Sequence, residues 1–158
     1  MKNRLSFIEY GGLLALTSKA RSEDPHTKVG ACAMDYSNRI IATGYNGLSP
    51  NKKIPEWMFL EKNRHKKAEL FIHAESNVCS LIKIGECRDL YITISPCIKC
   101  CQTIGAMQIK RVFYLEEYSK CSGFKDFFDF HNIEYNIISE DSRRNIQNFL
   151  KMELLNYK

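Results

Sequence analysis

The sequence predicts an α/β fold: a three-layer α/β/α sandwich around a mixed five-stranded sheet. Three observations carry that expectation. Two apolar segments, 28–35 and 39–45, flank a short turn containing Ser37-Asn38 and read as an antiparallel hairpin. Beyond them, strand-like runs at 90–94, 111–115 and 133–138 alternate with segments of helical spacing, which makes the later strands parallel. The chain has 158 residues, 44% hydrophobic and 26% charged, which suits one domain with its own core. We therefore expect a single domain over 1–158, with its core at about 5–138 and a closing helix at 141–156.

Each element has a local reason. Leu5 to Ala20 reads as a helix, weakened by Gly11-Gly12 and ended by Asp24-Pro25. After the hairpin, Asn46-Gly47 is a turn signal, and 47–71 reads as irregular or partly helical. Ala74, Val78, Leu81 and Ile82 follow helical spacing, so a helix is expected from His73 to Ile84, stopped by Gly85. A second helix is expected over 97–107, with Ser95 as its N-cap and Pro96 at its first position. Phe124 to Phe130 suggests another helix. Asp141 to Asn156, with Leu150, Met152, Leu154 and Leu155, reads as an amphipathic helix covering the sheet or a neighbouring subunit.

Several classes are disfavoured. No apolar run is long enough to span a bilayer. Met1 to Arg4 is basic, but Leu5 to Ala20 is broken by Glu9, Tyr10, Gly11 and Gly12, and no small-residue cleavage site follows. A cytoplasmic protein with no membrane partner is the expectation. Seven cysteines, at 32, 79, 87, 97, 100, 101 and 121, make an odd count that argues against a disulfide framework. There is no GxGxxG and no Walker-type phosphate loop. The net charge of +5 is mild; it suits a phosphate-bearing small ligand and would also suit weak nucleic-acid contact. Lys52, Lys53, Lys62, Arg64, Lys66 and Lys67 crowd between Gly47 and His73; from charge alone they read as a solvated loop.

The chemistry concentrates in two short stretches. In SPCIKCC, residues 95–101, Cys97 and Cys100 fall three apart at a helix start, so both thiols share one face. A helix N-terminus favours the thiolates that a metal needs. A nitrogen ligand lies upstream in HAES, residues 73–76, where His73 also opens a helix. His73, Cys97 and Cys100 would hold one zinc and leave a position for water, the arrangement of catalytic sites. Glu75 would move protons, provided that it and His73 crowd around the helix start, because residues two apart face opposite ways along a regular helix. Glu75 is otherwise an acidic residue well placed in a first helical turn. Cys101, one step from Cys100, turns away and packs. The order H-x-E then P-C-x-x-C is the pattern of zinc nucleobase deaminases.

Over Leu5 to Ile138 the sequence resembles the deoxycytidylate (dCMP) deaminases of the zinc-dependent cytidine/deoxycytidylate deaminase family. The resemblance rests on RSEDPHTKVGACAMD (21–35), IIATGYNG (40–47), HAESNV, SPCIKC and IKRVFYLEEY (109–118). It implies a cytidine-deaminase-like fold and hydrolysis of dCMP to dUMP and ammonia, supplying thymidylate synthesis. It implies zinc on His73, Cys97 and Cys100, Glu75 as the proton carrier, Asn46 on the sugar and backbone contacts from Ala74 to the base. Tyr118 is a candidate pocket wall, and one or two charges of the Lys52–Lys67 stretch would meet the phosphate. Many family members form homo-oligomers, dimers or hexamers, activated by dCTP with magnesium and inhibited by dTTP. DPHTKVGA and GYNG match the region where those effectors bind, although the family usually continues GYNGxPxG and this chain reads GYNGLSPNK. The competing readings are a deaminase of dCTP, of a 5-substituted dCMP or of a tRNA adenosine, a thiol-redox pair at Cys97 and Cys100, and a zinc-stabilised nucleic-acid-binding module.

Overall fold

The computed structural model describes residues 4–119 and 123–156. Helix α1 is Phe7–Ser18, continued by a 3-10 turn over Lys19–Arg21. Strands β1 (Gly30–Met34) and β2 (Ile40–Tyr45) form the opening hairpin. Helices α2 (Arg64–Leu70) and α3 (Ala74–Cys79) follow. Then come β3 (Asp89–Ile94), α4 (Ile98–Ala106), β4 (Arg111–Glu116), α5 (Phe124–Phe130), β5 (Glu134–Ile137) and α6 (Glu140–Asn156). The five strands lie in the order β2-β1-β3-β4-β5. β1 runs antiparallel to β2 and β3, whereas β3, β4 and β5 are parallel. The expected mixed sheet is present.

Strand alternation builds two separate cores, because successive side chains leave opposite faces. Ala31, Ala33, Leu90, Ile92, Val112 and Tyr114 point towards α3, α4 and α5. Cys32, Met34, Tyr91, Phe113 and Leu115 point the other way, towards α1, where Tyr91 and Phe113 stack at 5.1 Å. α6 packs on α1, with Ile146 buried. These are the three layers.

Element ends differ from expectation for identifiable reasons. α1 starts two residues later than expected because Ser6 and Glu9 form a reciprocal capping box. α3 stops at Cys79 instead of Ile84, and Leu81 and Ile84 are exposed. Gly85, with φ of +80°, serves a later turn and not the helix end. The stretch read as irregular holds two short 3-10 segments, Glu56–Phe59 and Glu61–Asn63, besides α2. Cys32, Cys79 and Cys87 are buried as expected; Cys121 lies outside the described residues. Among the described residues no helix is long and apolar enough to cross a membrane.

The two ends of the sheet have different duties. At the N-terminal ends of β3 and β4, fully buried Asp89 is held by Arg111 Nε at 2.6 Å and by Arg88 Nη2 at 2.7 Å. At the opposite ends, Ile94, Ser95 and Tyr118 open into a pocket, the side of an α/β sheet where sites form.

Candidate active site

Two helix starts meet at that pocket. His73 is the N-cap of α3, with extended backbone (φ −72°, ψ 153°), and Cys97 is the N-cap of α4 (φ −75°, ψ 166°). An N-cap side chain projects around the end of the helix axis, where it can share a site with a residue of the first turn. Glu75, the second residue of α3, therefore lines the same pocket as His73 although the two are only two apart.

Ser95 has a different task from the expected cap. Its amide donates to Glu116 O at 2.8 Å, extending the pairing of β3 with β4, and its hydroxyl accepts from Tyr118 N at 2.8 Å. The helix begins two residues later, so that Cys97 itself occupies the cap and Cys100 the first turn. Cys101 is fully buried in the core behind them, as its position predicts.

His73 Nδ1 lies 3.2 Å from Cys100 Sγ and 3.6 Å from Cys97 Sγ. The three ligand atoms are all within 4.8 Å of one another. Tetrahedral zinc, with Zn–S of about 2.3 Å and Zn–N of about 2.0 Å, sets sulfur and nitrogen ligands about 3.6 Å apart. The donor set and its spacing fit zinc, and a fourth position is left to the pocket. The contact with Cys100 pulls the Cys97 thiol down to about 3, and the same contact, with burial, pushes Cys100 upward. Of the two thiols, Cys97 is the one held lower. Its hydrogen bond with His73 raises the imidazole.

Glu75 is 4% exposed, and burial pushes its carboxyl above the usual carboxylate range. Glu75 is not among the three clustered ligands. Ala74 is fully buried between the two functional residues and lines the pocket.

The opposite wall is a buried polar network. Asn46 Oδ1 accepts from Ser22 Oγ at 2.7 Å and from Val29 N at 2.7 Å. Its Nδ2 donates to Asp24 Oδ2 at 3.1 Å and to Thr27 O at 2.9 Å. Those four bonds saturate the amide. Asp24 also binds Lys67 Nζ, which sits 2.6 Å from Oδ2, and both side chains are almost wholly buried. Burial pushes the Asp24 carboxyl up, but Lys67 and the amides of Thr27 and His26 outweigh it and hold it below its usual value.

Of the basic stretch, Arg64 and Lys67 line the pocket; Lys52, Lys53, Lys62 and Lys66 do not. Lys67 is committed to Asp24. Arg64 donates to Thr27 Oγ1 at 3.1 Å and to Glu61 Oε1 at 3.2 Å while its side chain stays 37% exposed. Asp24 and Thr27, from the DPHTKVGA segment, also line the pocket, although motif reading assigned neither a role at the substrate site. Tyr118 lines the pocket, as expected of a strand-end aromatic.

Fold and donor set together define a zinc-binding α/β domain of the catalytic kind. The profile described as "Cytidine and deoxycytidylate deaminase zinc-binding region" matches residues 6–116, and the chain belongs to that family. It is 34% identical over 127 residues to the probable deoxycytidylate deaminase of Drosophila melanogaster, covering 73% of this chain and 62% of that one. To the deoxycytidylate deaminase of Homo sapiens it is 31% identical over 120 residues, covering 72% and 66%. The chain thus spans less than two thirds of the length of these relatives. Among solved structures, a dCMP deaminase from the cyanophage S-TIM5, crystallised with dCMP and dUMP, matches with a TM-score of 0.63. Its identity is 22%, over 84% of this chain and 93% of that one, so this likeness speaks to the fold alone.

Proposed function

We propose that this chain hydrolyses dCMP to dUMP and ammonia. The observation that carries the proposal is the cluster of one imidazole and two thiols at a pocket lined by a buried carboxylate, with a guanidinium on its wall. The family and the dCMP-directed relatives support the choice of substrate. His73, Cys97 and Cys100 would hold zinc, which would lower the pKa of a bound water to about 7. Glu75 accepts a proton from water, delivers it to the ring nitrogen, and carries the second proton to the departing amine. The ring carbon exchanges its amino group for oxygen, and ammonia leaves. Burial of Glu75 keeps bulk solvent from competing for those protons.

The backbone at Ala74 faces the base on this reading, and Tyr118 walls the pocket. Asn46 meets the sugar only by giving up one of its four protein bonds, so its first task is to hold the turn. Arg64 is the cation we assign to the phosphate, because its charge is only partly engaged and it faces the pocket. Replacing Arg64 with alanine should raise KM for dCMP by about 10- to 100-fold, the worth of a hydrogen bond to a charged group. Its kcat/KM on deoxycytidine, which has no phosphate, should stay unchanged. Equal losses on both would remove Arg64 from phosphate recognition.

A cytoplasmic homo-oligomer is part of the same proposal; exposed Phe149, Met152, Leu154 and Leu155 along α6 suit a subunit contact. The substrate is tested by a panel of dCMP, CMP, dCTP, 5-methyl-dCMP, deoxycytidine and a tRNA stem-loop, run with and without dCTP or dTTP and magnesium. dCMP should be turned over with the highest kcat/KM. Deamination of the tRNA alone would sink the mononucleotide reading.

A further inference from the structure

We propose that Asn77 is a positioning residue for the zinc site, acting through His73. The two halves of the site are fastened separately. Cys97 and Cys100 ride on α4, anchored by the Ser95 bonds to β4 and to Tyr118. His73 and Glu75 ride on α3, a helix of only six residues, too short to be rigid on its own account. Its placement depends on what it touches.

Three contacts tie this helix to the end of β2. Gly47 and Ile72 exchange backbone hydrogen bonds of 3.0 and 2.8 Å, which fixes the chain one residue before His73. That anchor is firm, since Asn46 N bonds Val29 O and the Asn46 amide holds the turn. Next, α3 lies flat on the backbone at Gly44. A methyl group built there would stand 2.9 Å from Val78 Cγ2 and 3.1 Å from Ala74 O. A flat contact of this sort resists approach but not sliding.

Asn77 stops the slide. Its backbone amide donates to His73 O at 3.0 Å, closing the first turn of the helix. Its side-chain Nδ2 donates to Tyr45 O at 2.6 Å. One residue therefore grips the ligand residue's carbonyl with its main chain and β2 with its side chain. With Gly47–Ile72 it gives the helix start two fixed points instead of one. Removal of the amide leaves the Tyr45 carbonyl half-buried and unpaired, and frees α3 to shift along Gly44. Because the cysteines are held elsewhere, such a shift changes the distance from His73 to both sulfurs.

The test is zinc affinity, measured with zinc alone by competition against a chromophoric chelator, so it does not depend on which nucleotide is the substrate. Asn77→Ala should weaken zinc binding by about 10- to 100-fold, the usual effect of losing a partner that orients a metal ligand. In a His73→Ala background the same change should cost less than about 2-fold, because its effect travels through that imidazole. Circular dichroism and urea unfolding of the metal-free proteins report folding separately. If Asn77→Ala does not fold, Asn77→Asp keeps the shape without the donor and is held to the same criteria. Unchanged affinity in the single variant, or an equal loss in both backgrounds, overturns the proposal.

Discussion

We expect replacement of Glu75 with glutamine to lower the proposed turnover of dCMP by about 10³-fold and to leave zinc binding at one ion per chain. The size of the effect follows from the geometry. Glutamine keeps the shape of a side chain that is 4% exposed, so packing is preserved. What disappears is the capacity to carry a proton. Glu75 stands outside the cluster formed by His73, Cys97 and Cys100, so metal content should not follow activity down. Zinc quantitation and steady-state kinetics on one preparation check both halves. Activity within 10-fold of the parent would mean that another group moves the protons. A parallel loss of zinc would mean that Glu75 supports the metal instead.

Replacing Asp89 with asparagine should destabilise the fold by about 3 kcal/mol in urea unfolding at neutral pH, the range for breaking a buried ion pair from one side. Asp89 is fully buried, and it pairs with both Arg88 and Arg111 at the N-terminal ends of β3 and β4. Arg88 also donates to Tyr36 O and Asn38 Oδ1, so the same carboxylate indirectly pins the hairpin turn. Asparagine removes the charge and leaves two guanidinium groups facing each other. Domain stabilities are typically about 5–15 kcal/mol, so the loss is a large share.

The pH dependence has a definite sign. Burial pushes the Asp89 carboxyl up, but the hydrogen bonds from Arg111 and Arg88 outweigh it and hold it below the usual value. A carboxyl depressed on folding contributes stability above its unfolded pKa of about 3.9, and that contribution is lost as pH falls through the lower folded value. Urea unfolding between pH 3 and 7 should therefore show stability falling on the acid side, with a shallower fall in Asp89→Asn. Identical acid limbs in the two proteins would contradict the assignment. Asp24, held down by Lys67 at the other end of the sheet, adds to the limb that remains.

Most of the site was legible because its residues announce themselves by type and spacing. His73, Glu75, Cys97 and Cys100 need only two helix starts at one sheet edge, and the alternation of strands and helices implied that edge. The requirement that His73 cap its helix also followed from spacing, since no other arrangement brings residues 73 and 75 together. Ser95 was misread because a serine before a proline is a good cap in isolation. Its hydroxyl was instead drawn to the Tyr118 amide, a partner 23 residues away that no local pattern reveals.

The far wall was harder for the same reason. Arg64 and Lys67 sit in a run of similar charges, and nothing local marks Lys67 as buried. Its partner, Asp24, lies 43 residues upstream. The resemblance at GYNG implies that Asn46 meets the sugar, yet its amide is fully occupied by protein groups. The early end of α3 was invisible to apolar spacing because Leu81, which continues the pattern, is exposed, while Ile82 still packs against the core without being helical.

The most direct test of the central claim is to strip the protein of metal, return zinc in steps, and follow bound zinc and dCMP turnover together. We expect no turnover without zinc, a rise in proportion to occupancy, and a plateau at one ion per chain. Full activity in a preparation free of metal, or zinc that binds just as tightly after His73, Cys97 and Cys100 are all replaced, would contradict the account.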